Sequence, residues 1–147
     1  MVTGAGGGIG RDIALTAAAQ GAAVVVNDLG ASLKGTGHTE LAAQAVVDEI
    51  KAAGGDAVAN ADSVTEPDAA RAMVELAVKE FGRIDAVVNN AGILRDGFFH
   101  KMTYEDFDAV VKVHLYAAFN TSRAAADYFR AQESGALAVC RTDAQQT

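Results

Sequence analysis

The chain has 147 residues, half of them hydrophobic, with one proline and one cysteine. It is therefore long enough to bury a core and too apolar to stay disordered. Twelve basic against nineteen acidic residues give a formal net charge of −7, which disfavours nucleic acid and anionic membranes as partners. The lone Cys140 cannot form an internal disulfide, and His38, His100 and His114 fall in no metal-ligand spacing. The apolar runs are interrupted by Gln20, Asn27 and Asp28, too short for a membrane span. A cytoplasmic protein with no metal is expected.

In chain order, short β-branched runs alternate with longer helical patterns, the signature of βαβ units and a parallel sheet. Met1-Val2-Thr3 hints at a first strand, and residues 9 to 20 at a first helix that stops before Gly21. Val24-Val25-Val26 is a continuous apolar run, as in a strand covered on both faces. A second helix carries Ala42, Val46, Ile50 and Ala53 on one stripe and ends at Gly54-Gly55, and residues 56 to 61 form a third strand.

Thr65 is the expected N-cap of a third helix, with Pro67 near its start and Ala70, Met73, Val74, Ala77, Val78 and Phe81 on its buried stripe. Ile84 to Val88 form a fourth strand. Thr103-Tyr104-Glu105-Asp106 resembles a capping box and opens a long helix. Its periodicity predicts a stripe of Phe107, Val110, Val111, His114, Leu115, Ala118, Phe119 and Ser122. Gly135 to Cys140 can begin a fifth strand, before a polar end from Arg141 to Thr147. The expected class is α/β: a Rossmann-type doubly wound parallel sheet, incomplete at about four to five strands. Residues 1–135 form the nucleotide-binding domain and 136–147 a divergent tail.

Four strand ends carry the candidate chemistry. Thr3-Gly4-Ala5-Gly6-Gly7-Gly8-Ile9-Gly10 joins strand to helix, and its glycines allow the backbone to turn sharply and approach a pyrophosphate. The helix behind it aims free N–H groups at that anion. Asp28 stands eighteen positions beyond Gly10, where a carboxylate accepts ribose hydroxyls and repels the 2′-phosphate of NADP; NAD is favoured. The plainer alternative is an ordinary loop carboxylate. Asp62-Ser63-Val64 can meet an adenine edge through the Asp62 side chain and a backbone N–H, or serve only as a turn and cap cluster. Asn89-Asn90-Ala91-Gly92 offers an amide at 90 to tie neighbouring strands and small residues at 91 and 92 for close approach, or is a simple polar turn.

Together these motifs resemble the short-chain dehydrogenase/reductase family, over Thr3 to about Gly135. The resemblance implies a Rossmann-type domain, a nicotinamide cofactor and alcohol–ketone interconversion. It implies that Thr3 braces the glycine turn, Gly8, Ile9 and Gly10 hold the pyrophosphate, Asp28 takes the ribose, and Asp62 and Val64 take the adenine. Asn27-Asp28-Leu29-Gly30, the loop at 31 to 38, Ala91 to Asp96 and Val113-His114-Leu115 look like one branch, the (3R)-hydroxyacyl-CoA dehydrogenase part of peroxisomal multifunctional enzymes and bacterial relatives. That branch implies a small-molecule substrate of acyl-CoA type, and the family a homo-oligomer for a complete chain.

The resemblance fails at proton transfer. The family uses a tyrosine with a lysine four residues on, but Tyr104, Tyr116 and Tyr128 are followed at that spacing by Asp108, Asn120 and Gln132. The family's serine has no counterpart, since Ser122 and Ser134 are misplaced. His114 occupies a helix position that the family often fills with asparagine, whose backbone carbonyl helps hold a relay water; it fits equally as a core histidine on the apolar stripe. Arg95, Asp96, His100 and Lys101 either line a substrate mouth or lie in a solvated loop. Both ends look cut, because the first strand is shorter than the usual ~5–6 residues, and an uncovered sheet edge predicts a fragile, aggregation-prone product.

Three function classes follow. The leading one is an NAD-dependent oxidoreductase represented by its cofactor-binding half. A second is a catalytically inactive nucleotide-binding or dimerisation module. A methyltransferase also uses a glycine-rich first turn, but the Thr-Gly-x-x-x-Gly-x-Gly spacing with Asn-Asn-Ala-Gly argues against it. The absence of Gly-Lys-Ser/Thr excludes a P-loop kinase.

Overall fold

A computed structural model describes residues 1–30 and 41–140. The loop expected at 31 to 38 and the polar end from 141 to 147 lie outside the described residues. In chain order the elements are β1 (Val2–Thr3), α1 (Gly8–Ala19), β2 (Val24–Asn27), α2 (Leu41–Ala52), β3 (Ala57–Asn60), α3 (Pro67–Phe81), β4 (Ala86–Asn89), a 3-10 turn (Phe99–Lys101), α4 (Tyr104–Val111), a π turn (Lys112–Tyr116), α5 (Ala117–Gln132) and β5 (Ala136–Val139).

The strands form one parallel sheet in the order β3-β2-β1-β4-β5. The chain winds outward from β1 to β3, then returns to place β4 on the other side of β1. That reversal opens a crevice at the carboxyl ends of β1 and β4, where such sheets bind ligands. Residues 136 to 139, expected at the opening of the tail, run as a sheet strand paired with β4.

Strand periodicity divides the core between the two faces of the sheet. Val24 and Val26 point into one cluster with Ala14, Val46, Val47 and Ile50 of α1 and α2. Val25 points the other way, into a cluster with Met73, Val74 and Ala77 of α3, Val87 of β4, and Ala117 and Ala125 of α5. β2 is thus buried on both faces, as its unbroken valine run predicts. Burying each such valine contributes about 1.5–3 kcal/mol.

One local expectation needs correction. α3 begins with Pro67 at its first position, but its N-cap is Glu66 and no side chain caps it. The Thr65 hydroxyl instead meets Ser63 Oγ at 2.8 Å, because a neighbouring hydroxyl competes for it with the helix end. Thr103 does cap α4, accepting from the Asp106 N–H at 3.1 Å.

The long helix also departs from its expected phase. Ala117, Thr121 and Ala125 are its buried residues, whereas Phe107, Leu115 and Phe119 of the expected stripe are exposed. Beyond the π turn the shift follows from its extra residue, which rotates everything after it by about 100°; Phe107 precedes the turn, on an α4 that has no buried residue. A single helical period drawn across residues 103–130 cannot hold on both sides of that turn. At its start, Lys112 pairs with Asp108 at 2.7 Å, and that hydrogen bond raises the Lys112 pKa.

Among the described residues, no helix is long and apolar enough to cross a membrane.

Candidate nucleotide site

The strand ends at the crevice are bound to one another by side chains. Thr3, fully buried at the end of β1, uses its hydroxyl oxygen to accept from the Asn90 N–H at 3.1 Å and the Ala91 N–H at 3.0 Å. Asn90 replies with its amide, donating to the Thr3 and Gly4 carbonyls at 3.1 and 3.0 Å. β1 and β4 share a single register pair, Val2 with Val88, so this exchange continues the pairing where the backbone ladder ends. It fixes the height of the glycine turn over the sheet.

Gly4 has φ +62°, and a Cβ there would lie 2.8 Å from Ala91 Cα; a side chain is barred twice. A Cβ on Gly10 would collide with the Gly4 carbonyl and the Asn90 amide, so α1 starts in direct contact with the turn. Gly7 is the N-cap of α1 and contributes no side-chain cap. The first N–H groups of the helix, at Gly8, Ile9 and Gly10, consequently lack i−4 partners and carry the positive end of the dipole. Nothing lies within 4 Å of a Cβ built on Gly7 or Gly8, so the turn is open beside those residues. Free donors, a dipole and open space together fit an anion.

Asp28 follows β2 with its N–H donating to the Asn60 carbonyl at 3.0 Å. Its carboxylate is oriented by backbone on both sides. Oδ2 accepts from the Gly6 N–H at 2.8 Å and Oδ1 from the Gly30 N–H at 2.7 Å. Each oxygen keeps a further lone pair for a hydroxyl donor. Arg11 stands on α1, but its guanidinium pairs with Glu49 of α2 at 2.6 Å. The half-covered Arg11 therefore faces α2 rather than open solvent.

Asp62 is exposed beyond β3, and its Oδ2 accepts from the Asn60 amide at 2.8 Å. Val64 is buried beside it, and Ser63 is half-buried. Gly92 supports a different contact: a Cβ there would fall 2.8 Å from His114 Cε1. His114 Nε2 lies 2.9 Å from the Ile93 carbonyl oxygen and 3.2 Å from the Ile93 nitrogen. His114 is exposed, so its placement as a core histidine is corrected; the π turn carries it out of the buried stripe. The structure thus gathers Thr3, Gly4, Gly8, Ile9, Gly10, Asp28, Asn90, Ala91 and Gly92 around the crevice, with Asp62, Ser63 and Val64 at the end of β3 two strands away. Arg95 reaches Asp106 at 3.8 Å, joining the loop after β4 to α4.

Several contacts of this framework are not announced by the motifs. Asn27, fully buried at the end of β2, donates to Asn60 Oδ1 at 2.8 Å and to the Asp62 carbonyl at 2.9 Å. Thr121, fully buried on α5, donates to Asn89 Oδ1, and the Asn89 amide donates to Ser122 Oγ at 3.2 Å. The only sequence sign is a polar residue in an otherwise apolar strand or stripe.

The sequence matches the family described as short chain dehydrogenase over residues 1–144. The chain belongs to that family. Among curated relatives of this short-chain dehydrogenase, a short-chain type dehydrogenase/reductase of Mycobacterium tuberculosis is 55% identical over 139 residues, covering 95% of this chain and 49% of that protein. The peroxisomal hydratase-dehydrogenase-epimerase of Neurospora crassa is 56% identical over 135 residues, covering 92% of this chain and 15% of that protein. A solved 7α-hydroxysteroid dehydrogenase complexed with NADH and a 7-oxo bile acid is 33% identical, with a TM-score of 0.86 over 96% of this chain and 51% of that one. The chain spans about half the length of the Mycobacterium relative it matches.

Proposed function

We propose that this chain is the cofactor-binding part of an NAD-dependent oxidoreductase that interconverts a secondary alcohol and a ketone, acting on a 3-hydroxyacyl-CoA-type substrate. The observation that carries the cofactor reading is the Asp28 carboxylate, held at the end of β2 by the Gly6 and Gly30 N–H groups, with Gly6 in the turn that leads into the free donors of α1. When bound, the nicotinamide would supply hydride acceptance. Within this chain, Gly8, Ile9 and Gly10 would hold the diphosphate, Asp28 the adenosine ribose, and Ala91 and Gly92 would flank the adenosine. NAD is preferred over NADP because a fixed carboxylate meets a 2′-phosphate with like charge. Binding of NADH by the similar 7α-hydroxysteroid dehydrogenase supports the cofactor class. The 56% identity to a peroxisomal hydratase-dehydrogenase-epimerase supports the substrate class.

His114 ties the loop after β4 to the π turn, and its backbone carbonyl remains the candidate relay position. The 147 residues hold no Tyr-x-x-x-Lys, and general acid–base transfer is worth roughly 10²–10⁴ in rate. This chain alone should bind NAD and turn over negligibly. The test is titration with NAD and NADP, followed by assay of NADH formation with a 3-hydroxyacyl-CoA. Micromolar NAD binding without NADH formation supports the reading, and robust turnover refutes its catalytic half.

A second reading, an inactive nucleotide-binding and dimerisation module, is favoured by one observation: Leu115, Tyr116 and Phe119 are all more than half exposed along the π turn and α5. A stable dimer by sedimentation, without turnover, would select it.

A further inference from the structure

The turn after β3 is gripped from two sides by asparagine amides. From β2, Asn27 Nδ2 donates to the Asp62 carbonyl at 2.9 Å. From α5, Asn120 Nδ2 donates to the Val64 carbonyl at 3.3 Å and the Thr65 carbonyl at 3.1 Å. The Ser63 carbonyl accepts from the Glu66 N–H at 3.3 Å. All four carbonyls from Asp62 to Thr65 are therefore engaged, which fixes the rotation of the peptide units that carry them. The Val64 N–H belongs to one of those units and has no protein partner among the described residues. Asp62 Oδ2 is held nearby by the Asn60 amide.

A fixed carboxylate acceptor and a free backbone donor match the edge of adenine, which offers an amino donor and a ring-nitrogen acceptor. Hypoxanthine reverses both, offering a carbonyl oxygen and a ring N–H. We propose that Asn120 is a positioning residue for adenine recognition, anchoring the Val64 and Thr65 end of the turn so that Asp62 and the Val64 N–H discriminate adenine from hypoxanthine. This rests on the nucleotide-binding reading of the site. Asn120 is separated from the turn by 55 and 56 positions in sequence, and the π turn sets the phase that brings it there. Without the extra residue, position 120 would sit about 100° around the helix from these carbonyls.

The experiment compares binding of NAD and of nicotinamide hypoxanthine dinucleotide to the wild-type chain and to Asn120→Asp and Asn120→Ala. The aspartate places an acceptor against two carbonyls; the alanine removes the donor without adding repulsion. The wild type is expected to bind NAD about tenfold or more tightly than the hypoxanthine dinucleotide. Both variants should lose most of that ratio, with NAD weakened roughly tenfold and the hypoxanthine dinucleotide changed less than twofold. A general structural role would weaken both ligands equally, and that result overturns the proposal, as does an unchanged ratio. A wild type that binds the two dinucleotides alike overturns it even where neither variant folds. A wild type that binds neither removes the nucleotide reading itself, a separate and recognisable failure.

Discussion

Gly6 and Asp28 occupy each other's space: Asp28 Oδ2 accepts from the Gly6 N–H at 2.8 Å, and a Cβ on Gly6 would fall 2.8 Å from Asp28 Cγ. The glycine at position 6 is thereby explained by the carboxylate rather than by the turn alone. Gly6→Ala should push Asp28 off its backbone donor and also crowd Ala42, whose Cβ would stand 2.7 Å away. Overpacking of this kind costs about 1–3 kcal/mol. The expected outcome is a roughly tenfold weaker NAD affinity and a reduced preference over NADP, because lost orientation of a charged hydrogen bond costs about 1.5–3 kcal/mol. Titration of both dinucleotides against the variant checks this.

Thr3→Val keeps the shape of the side chain but leaves the Asn90 and Ala91 N–H groups without the acceptor they share. Stranding two part-buried donors should destabilise the fold by about 2–4 kcal/mol. Thr3→Ser restores the hydroxyl and should recover most of the loss. Urea melts of the three proteins compare them directly, and equal midpoints for valine and threonine would show that the exchange is ornamental.

The glycine turn, Asp28 and Asn90 were legible in the sequence because each stands at a strand end inside a motif whose residue types and spacing mark it, even where its partner is as distant as Thr3 is from Asn90. The same holds for β2, whose run of valines needs cover on both faces. Asn27 and Asn120 were not legible, since nothing local distinguishes an amide that will cap carbonyls 35 or 55 positions away. The stripe on the long helix was misread for a related reason. Periodicity assumes constant winding, and the π turn at Lys112–Tyr116 breaks it. Thr65 failed as a cap because Ser63, two residues earlier, engages its hydroxyl. Within the candidate site, the braces that stand inside a motif, Thr3 and Asn90, were therefore recognisable, whereas Thr121 and Asn120, which brace from α5, came only with the fold.

β5 pairs with β4 on one side, and its Leu137 and Val139 remain 51% and 60% exposed. Exposed apolar residues on a sheet edge are a template for unwanted pairing. Leu137→Lys with Val139→Lys should slow aggregation of the purified chain at micromolar concentration, measured as light scattering over hours at 37 °C. Unchanged scattering would place the aggregation-prone surface elsewhere, with Leu115, Tyr116 and Phe119 next in line.

In the proposed function, Asp28 and the start of α1 bind the same adenine dinucleotide. Calorimetric titration of NAD into the wild-type chain and into Asp28→Ala tests it most directly. Clear saturation is expected for the wild type, with NAD affinity tenfold or more above that of the variant and NADP gaining relative to NAD once the carboxylate is gone. Equal NAD affinity for both proteins, or no heat with folded wild type, would contradict it.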